Sequence, residues 1–204
     1  VTTVRKVTWQ VGRTGKLTPL AQVDPVELAG ATVRKATLNN LGDIRRKDIK
    51  IGSKVLIRRS NEVIPEILGA YEHTGKSVDI APPETCPYCG APVREEGANL
   101  FCTNKNCRPR IAAQLANFAS KGAMDIEGFS EMTAYLLYDE LEVRRYSDLY
   151  FLDKDRLAKL EGCGDKKIKN LLSAIEASKN VPLDRFLFAL GIDGIGKVAS
   201  KDLA

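Results

Sequence analysis

The chain has 204 residues, of which 44% are hydrophobic and 28% charged, a globular balance that excludes global disorder. It has no apolar run near the ~18 residues that a membrane-spanning helix needs. Residues 1–6 lack Met and an apolar signal core, so we expect a fragment and not a secretory precursor. The net charge is +5, and residues 1–80 hold 14 basic against 8 acidic side chains, so this segment suits a polyanion such as nucleic acid, although a solvated basic surface explains the charge equally well.

Residues 1–80 have the pattern of a small β-domain. Val7, Trp9 and Val11 alternate with polar residues, which predicts a half-buried strand with Trp9 in the core. A turn follows at 12–15, and further strands are predicted at 17–23, 32–38, 53–58 and 62–70. Pro65 places the last strand at an edge or a bulge. Short strands at this density predict a closed barrel such as an OB-fold, while an SH3-like barrel or a small sandwich fits nearly as well.

Four cysteines follow a stiff Pro-containing linker at 81–84. Cys86 and Cys89 form one close pair, and Cys102 and Cys107 form a second. Two close pairs across a short excursion have the spacing of a tetrahedral zinc site, and four thiolates leave no open position, so a structural role is predicted. The alternative, a redox Cys-x-x-Cys, leaves the second pair unexplained. Metal binding should supply the folding energy of this short segment.

From residue 111 onward the period of apolar residues is helical, and Ile111, Leu115 and Phe118 share a face. Further helices are predicted at 131–140, 155–160, 165–178, 183–190 and from 197 onward. Three similar glycine-containing elements lie at 126–131, 160–165 and 192–197, and their first glycines are 34 and 32 residues apart. This repeat predicts helix-hairpin-helix units whose backbone N–H groups face phosphates, whereas the alternative is ordinary helix-capping glycines.

The sequence contains no recognisable catalytic motif, so the chain itself is predicted to bind a ligand without catalysing a reaction. The chain has no Ser-His-Asp order, no phosphate-binding P-loop and no Lys-x-Asp-Gly block of a covalent nucleotidyl transferase. Cys163, inside the second glycine element, is predicted to pack as a small hydrophobe, and His73 is predicted to be a surface loop residue without a partner. At least one of Arg58 and Arg59 is expected to contact a backbone phosphate.

Several motifs resemble those of one family. Residues 10–19 (Gln-Val-Gly-Arg-Thr-Gly-Lys-Leu-Thr-Pro), together with 32–40, 48–52 and 63–65, resemble the OB-domain of bacterial NAD-dependent DNA ligases. The four cysteines follow at the family's position, and residues 118–128 and 160–164 resemble its helix-hairpin-helix domain. Ser130 stands where the first hairpin would have its second glycine, and Arg108-Pro109-Arg110 stand where the family usually has Pro-Ala-Gln.

The resemblance implies a multi-domain chain: an all-β OB-fold barrel at 1–80, a linker and four-cysteine zinc finger at 81–110, and a truncated all-α helix-hairpin-helix domain at 111–204. It further implies an enzyme of replication and repair that joins 3′-OH and 5′-phosphate ends at nicks, with NAD as adenylate donor and Mg²⁺ or Mn²⁺. An adenylation domain is expected before residue 1, and a fourth hairpin and a BRCT domain after residue 204. The chain itself would clamp nicked double-stranded DNA as a cytoplasmic, nucleoid-associated monomer without a membrane partner.

The resemblance also implies particular DNA contacts without base readout. On the barrel they are Arg13, Thr14, Arg59, Val63 and Ile64, and on the hairpins Gly128, Gly162, Gly164, Gly194 and Gly196. The alternatives are a non-enzymatic nucleic-acid-binding zinc protein or repair scaffold, and a redox or metal-relay protein.

Overall fold

The computed structural model describes residues 1–59 and 64–204. The chain forms two compact units, residues 1–105 and 106–204, and each has its own hydrophobic core. The division falls between the third and the fourth clustered cysteine.

The first unit is built on a closed five-stranded barrel. Its elements are β1 (Thr2–Val11), β2 (Lys16–Leu28), β3 (Ala31–Thr37), α1 (Leu41–Arg46), β4 (Lys50–Ile51), β5 (Lys54–Arg58), β6 (Glu66–Glu72) and β7 (Val78–Asp79). The barrel order is β1-β5-β6-β3-β2, and pairing of β1 with β2 closes it. All these pairings are antiparallel except that of β3 with β6. This is the architecture of an OB-fold, as predicted, and not that of a sandwich.

Strand β1 contains a bulge, and buried side chains lie on both sides of it. The register with β2 shifts between Val4 and Lys6, so that Val4 precedes the bulge and Val7, Trp9 and Val11 follow it. Val4 and Val11 are buried, while Trp9 is half-buried and packs against the barrel core, which confirms its predicted packing role.

The segment before β6 differs from its prediction. The strand begins at Glu66, after Pro65, and the Pro65 carbonyl accepts a hydrogen bond from the Thr37 N–H at 2.8 Å. Pro65 therefore lies outside the strand, because it has no N–H for a ladder. Residues 62 and 63, where the sequence placed the strand's start, lie outside the described residues.

A cysteine-bearing hairpin extends the barrel sheet. It consists of β8 (Val93–Glu96) and β9 (Asn99–Cys102). Strand β9 pairs with the start of β2, with Lys16 opposite Phe101 and Leu17 opposite Leu100. The cysteine-bearing hairpin is thus anchored on the barrel by main-chain hydrogen bonds.

The second unit is helical. Its elements are α2 (Arg108–Ala119), α3 (Glu131–Leu141), a 3-10 helix (Tyr146–Phe151), α4 (Lys154–Leu157), α5 (Asp165–Ser178), α6 (Leu183–Ala189) and α7 (Lys197–Leu203). The predicted helices are present, although α4 is shorter than the predicted 155–160. Phe118 is buried at the core, stacked on Tyr146 with ring centroids 4.5 Å apart. Across the described residues, every helix is too short or too polar to cross a membrane.

Candidate metal centre and nucleic-acid interface

The structure brings the four clustered cysteines together. The Sγ atoms of Cys86, Cys89, Cys102 and Cys107 all lie within 4.8 Å of one another. Cys89 is exposed and the other three are buried. Four convergent thiolates can hold one metal such as zinc, and they close its coordination sphere.

Three local structures place the four cysteines, and Cys86 and Cys89 share one of them. The loop from Cys86 to Ala91 is closed by two hydrogen bonds, from Gly90 N–H to the Cys86 carbonyl at 2.9 Å and from Cys86 N–H to the Ala91 carbonyl at 2.8 Å. Gly90 has φ +71°, a backbone conformation that residues with a side chain rarely adopt. Cys102 ends β9, and Cys107 is the N-cap of α2.

The electrostatics of the cluster suit a cation. Burial raises the pKa of the Cys102 thiol to about 11. At Cys89 burial also acts to raise the pKa, but hydrogen bonds from the Ala91 backbone and from the side chains of Asn104, Cys102 and Cys86 outweigh it and lower the pKa to about 7. The cluster can therefore lose one proton near neutral pH, and a bound cation would favour loss of the others.

A cationic groove lies on the barrel. It has a volume of about 360 Å³ and is lined by Ala31, Thr32, Val33, Arg34, Lys35, Arg59, Ile64 and Pro65. Two predicted DNA-contact residues, Arg59 and Ile64, thus lie in one groove, and Ile64 is 63% exposed. Arg58 instead forms an ion pair with Glu66 on the neighbouring strand at 2.5 Å. Val63, the third contact predicted in this region, lies outside the described residues.

Sequence reasoning missed two cations of this groove, Arg34 and Lys35. Both are exposed on β3, between the buried residues Val33 and Ala36. Adjacent cations within a predicted barrel strand are the signal that could have found them. Among the described residues, the charged side chains that line the groove are all basic, which favours an anion.

Arg13 and Thr14 lie elsewhere on the same unit. They are exposed in the β1–β2 turn, which is closed by a hydrogen bond from Gly12 N–H to the Lys16 carbonyl at 2.9 Å. Neither residue lines the cationic groove. The turn is linked to the cysteine cluster, because the Cys102 N–H donates to the Gly15 carbonyl at 2.8 Å.

The three glycine elements share one local geometry. In each, an N–H bonds back to a carbonyl three residues earlier: Phe129 to Ile126 at 3.2 Å, Cys163 to Leu160 at 3.3 Å and Ile195 to Ile192 at 3.1 Å. The glycine inside each turn has positive φ: Gly128 at +78°, Gly162 at +73° and Gly194 at +77°. Two residues later comes the N-cap of α3, α5 or α7, which is Ser130, Gly164 or Gly196.

The glycine turns are open to an approaching ligand. Nothing lies within 4 Å of the position of a Cβ at any of the five glycines predicted to contact DNA. The first two turns contribute to one groove of about 530 Å³, which includes Gly128, Gly164, Lys166 and Lys167. The third turn does not line this groove; a second groove, of about 400 Å³, lies beside α7 with Lys121, Arg185, Lys197 and Lys201 in its wall.

The structure also tests the predictions for Cys163 and His73. Cys163 is half-buried and packs against the helical core, as predicted. The prediction that His73 has no partner is wrong: its Nδ1 lies 2.8 Å from Ser53 Oγ and its Nε2 lies 2.8 Å from Asp48 Oδ2. His73 lies 20 residues from Ser53 and 25 residues from Asp48 in the sequence, so the fold of the barrel unit creates both contacts.

The barrel and its attached cysteine hairpin define the class of this molecule, an OB-fold protein with a four-cysteine cluster. Residues 1–78 match the family of the NAD-dependent DNA ligase OB-fold domain. Along its whole length the chain is 51% identical to a DNA ligase of Alkaliphilus oremlandii. It is 50% identical to a DNA ligase of Clostridium novyi over 99% of the chain, and 49% identical to DNA ligase 1 of Clostridium acetobutylicum over 97%.

The chain spans 31% of the length of the first two of these relatives and 30% of the third. These matches are consistent with a segment of a bacterial DNA ligase, whose barrel is similar to the OB-fold domain of the NAD-dependent members.

Proposed function

We propose that this chain is the DNA-binding part of an NAD-dependent DNA ligase and holds nicked duplex DNA for an adenylation domain of the same polypeptide. The observation that carries this proposal is the cationic groove on a ligase-type OB barrel. Arg34, Lys35 and Arg59 line it beside the exposed Ile64, and within residues 1–59 and 64–204 no acidic side chain joins them.

The groove suits the backbone of a duplex. Guanidinium and ammonium groups bind phosphate oxygens whatever the base sequence, and Ile64 offers an apolar contact to sugars in the minor groove. A ligase must act on every sequence, so contacts that position the backbone without base readout fit the task.

The glycine turns serve as helix-hairpin-helix contacts in this proposal. Their exposed backbone and the N-termini of the following helices present N–H donors to phosphates. This mode works in residues 111–204, where acidic side chains outnumber basic ones by 15 to 13. In hairpin one the Ser130 hydroxyl already accepts from Thr133 N–H at 3.1 Å, so hairpin one offers the weaker phosphate site.

The four cysteines hold a structural Zn²⁺ in this proposal. Cys86, Cys89, Cys102 and Cys107 would bind it as thiolates and fix the segment between the barrel and α2. The metal would take no part in the reaction, since four protein ligands leave no place for water.

In the whole enzyme, NAD would supply the adenylyl group and Mg²⁺ or Mn²⁺ would assist its transfer before the 3′-OH and 5′-phosphate ends are joined. The residues of this chain bind and orient the interrupted duplex, which bends at lower cost than an intact one. In this proposal the whole enzyme acts in replication and repair, as a monomer in the cytoplasm, at the nucleoid.

The groove is tested by removing one cation inside it and one outside. Arg59→Ala should weaken binding to duplex DNA, and the slope of log affinity against log salt should fall by about one unit, since one phosphate contact is lost. Lys76→Ala removes an exposed cation of the same unit that does not line the groove, and should leave the slope nearly unchanged. Fluorescence anisotropy over a salt series measures both, and equal slopes for the two variants would remove the groove from the DNA interface.

A further inference from the structure

The fourth cysteine is held differently from the other three. Cys107 is fully buried and is the N-cap of α2, where its side chain makes no capping hydrogen bond. Its Sγ atom faces the cluster instead, and its position depends on whatever fixes the first turn of α2.

Both neighbours of Cys107 in the chain are bonded to helix α3. On one side, the Tyr138 hydroxyl donates to the Asn106 carbonyl at 2.8 Å. On the other, Arg108 donates to both carboxylate oxygens of Asp139, at 2.7 and 2.6 Å. Because these contacts flank Cys107, together they fix the direction in which its side chain leaves the backbone.

Ring contacts tighten this arrangement. The guanidinium carbon of Arg108 lies 4.2 Å from the ring centre of Tyr135. Tyr138 is held from its other side by Arg144, whose guanidinium carbon lies 3.5 Å from the ring centre and whose Nη1 donates to the Tyr138 carbonyl at 2.6 Å. Cation–π contacts and a bidentate ion pair are both directional, so they fix the orientation of the Arg108 and Tyr138 side chains that contact the backbone and side chains around Cys107.

The helices behind these contacts form a firm base. Residues of both α2 and α3 belong to the same buried cluster, with Ile111 and Leu115 on α2 and Ala134 and Leu137 on α3. Helix α3 therefore acts as a rigid support for the residues around Cys107.

We propose that Tyr138 and Asp139 are positioning residues for the fourth metal ligand, Cys107. The proposal rests on the zinc site proposed above. Groups that orient metal ligands contribute strongly to metal affinity, and here they act on the backbone on both sides of the ligand. By linkage, metal binding also stabilises α3 and the first glycine turn that leads into it.

The test compares zinc release from the 204-residue chain and its variants, followed with a chromogenic chelator in excess. The double variant Tyr138→Phe/Asp139→Asn should release zinc about tenfold faster than the unaltered chain. The matched control is Tyr146→Phe/Glu140→Gln, which removes another tyrosine hydroxyl bonded to a carbonyl and the neighbouring charge on α3. Its release rate should not change.

Two further measurements separate positioning from general destabilisation. With Co²⁺ in the site, the sulfur-to-cobalt absorption of the double variant should be weaker at full occupancy, because one thiolate is displaced. Asp139→Glu keeps a carboxylate for Arg108 and should release zinc at nearly the original rate.

The outcomes are distinguishable. One zinc per chain, with equal release rates and equal cobalt spectra in both double variants, would overturn the positioning role and leave the zinc site standing. A chain that binds no zinc would contradict the zinc site and this proposal with it.

Discussion

Asp43 shows how one residue of the barrel unit gathers several local contacts. It lies in the first turn of α1, where Asn40 caps its N–H, and its carboxylate accepts from Arg46 at 2.8 Å and from Asn39 at 3.0 Å. The hydrogen bond from Arg46 is the largest cause that lowers the pKa of Asp43 to about 2, with Asn39 and Lys47 contributing. A depressed pKa favours the folded state while the carboxylate is ionised.

We therefore predict a pH-dependent effect of Asp43→Asn. The contribution of this carboxylate is complete above its ordinary pKa of 3.8 and is lost as the pH falls towards about 2. At pH 7 the substitution should cost on the order of 1–2 kcal/mol, since the side chain is partly exposed. Urea unfolding at pH 7 and at pH 2.5 measures the difference.

Asp79→Asn is the control for this prediction. The Asp79 side chain is 87% exposed in its pair with Lys50, so solvent screens the attraction and little stability is lost. A cost of Asp43→Asn that does not shrink as the pH falls would contradict the assigned ion pairs.

For single residues, the sequence predicts what chemistry a side chain can perform better than it predicts which other residues that side chain contacts. The spacing of the four cysteines indicates a metal site, because close pairs need only short loops to converge. The partners of His73 and the grouping of Arg34 with Arg59 depend on which strands become neighbours, and no local pattern carries that information.

At the scale of elements, the second glycine turn separates two uses of glycine. Gly162 has φ +73°, whereas Gly164 has φ −72° and is the N-cap of α5 with no side-chain cap. In the first turn the equivalent N-cap is Ser130, whose hydroxyl caps the Thr133 N–H. Gly162 is thus needed for the conformation of the turn, and Gly164 for access to the backbone.

Gly164→Ser should move stability and DNA binding in opposite directions. A serine hydroxyl can cap α5 as Ser130 caps α3, so the variant should be more stable by roughly a few tenths of a kcal/mol. The same side chain stands between the backbone and a phosphate, so DNA affinity should fall. Thermal unfolding and anisotropy on the same samples test this, and unchanged affinity would contradict the hairpin contact.

Gly162→Ala isolates the conformational role. An alanine at positive φ should destabilise the helical unit by about 1 kcal/mol, because Cβ meets the following carbonyl oxygen. Thermal unfolding followed by circular dichroism measures it. A variant as stable as the parent would show that the turn tolerates another geometry.

The missed elements share a physical reason. Helix α1 has six residues and buries only Leu41 and Ile44, so it is too short to show a helical period. The 3-10 helix at Tyr146–Phe151 buries only Leu149 and has the same limitation. The long helices and the alternating strands were predicted because each repeats its pattern over several turns or pleats.

At the scale of the whole molecule, metal removal should act locally. Main-chain hydrogen bonds join β9 to β2, but the barrel core is formed by residues 4–80 and contains no cysteine. A chelator should therefore accelerate amide exchange across residues 86–107, while the fluorescence of Trp9, the only tryptophan, stays constant. Loss of the Trp9 signal together with the metal would mean that the barrel depends on it.

We propose that this chain binds interrupted duplex DNA through contacts to the DNA backbone. The most direct measurement is fluorescence anisotropy of the zinc-loaded chain with a nicked and an intact duplex of the same sequence, each across a salt series. We expect an affinity that falls steeply with salt and is higher for the nicked duplex. Equal affinity for the two duplexes would contradict the preference for the nick, and no binding to either duplex at low salt would contradict the proposed DNA binding.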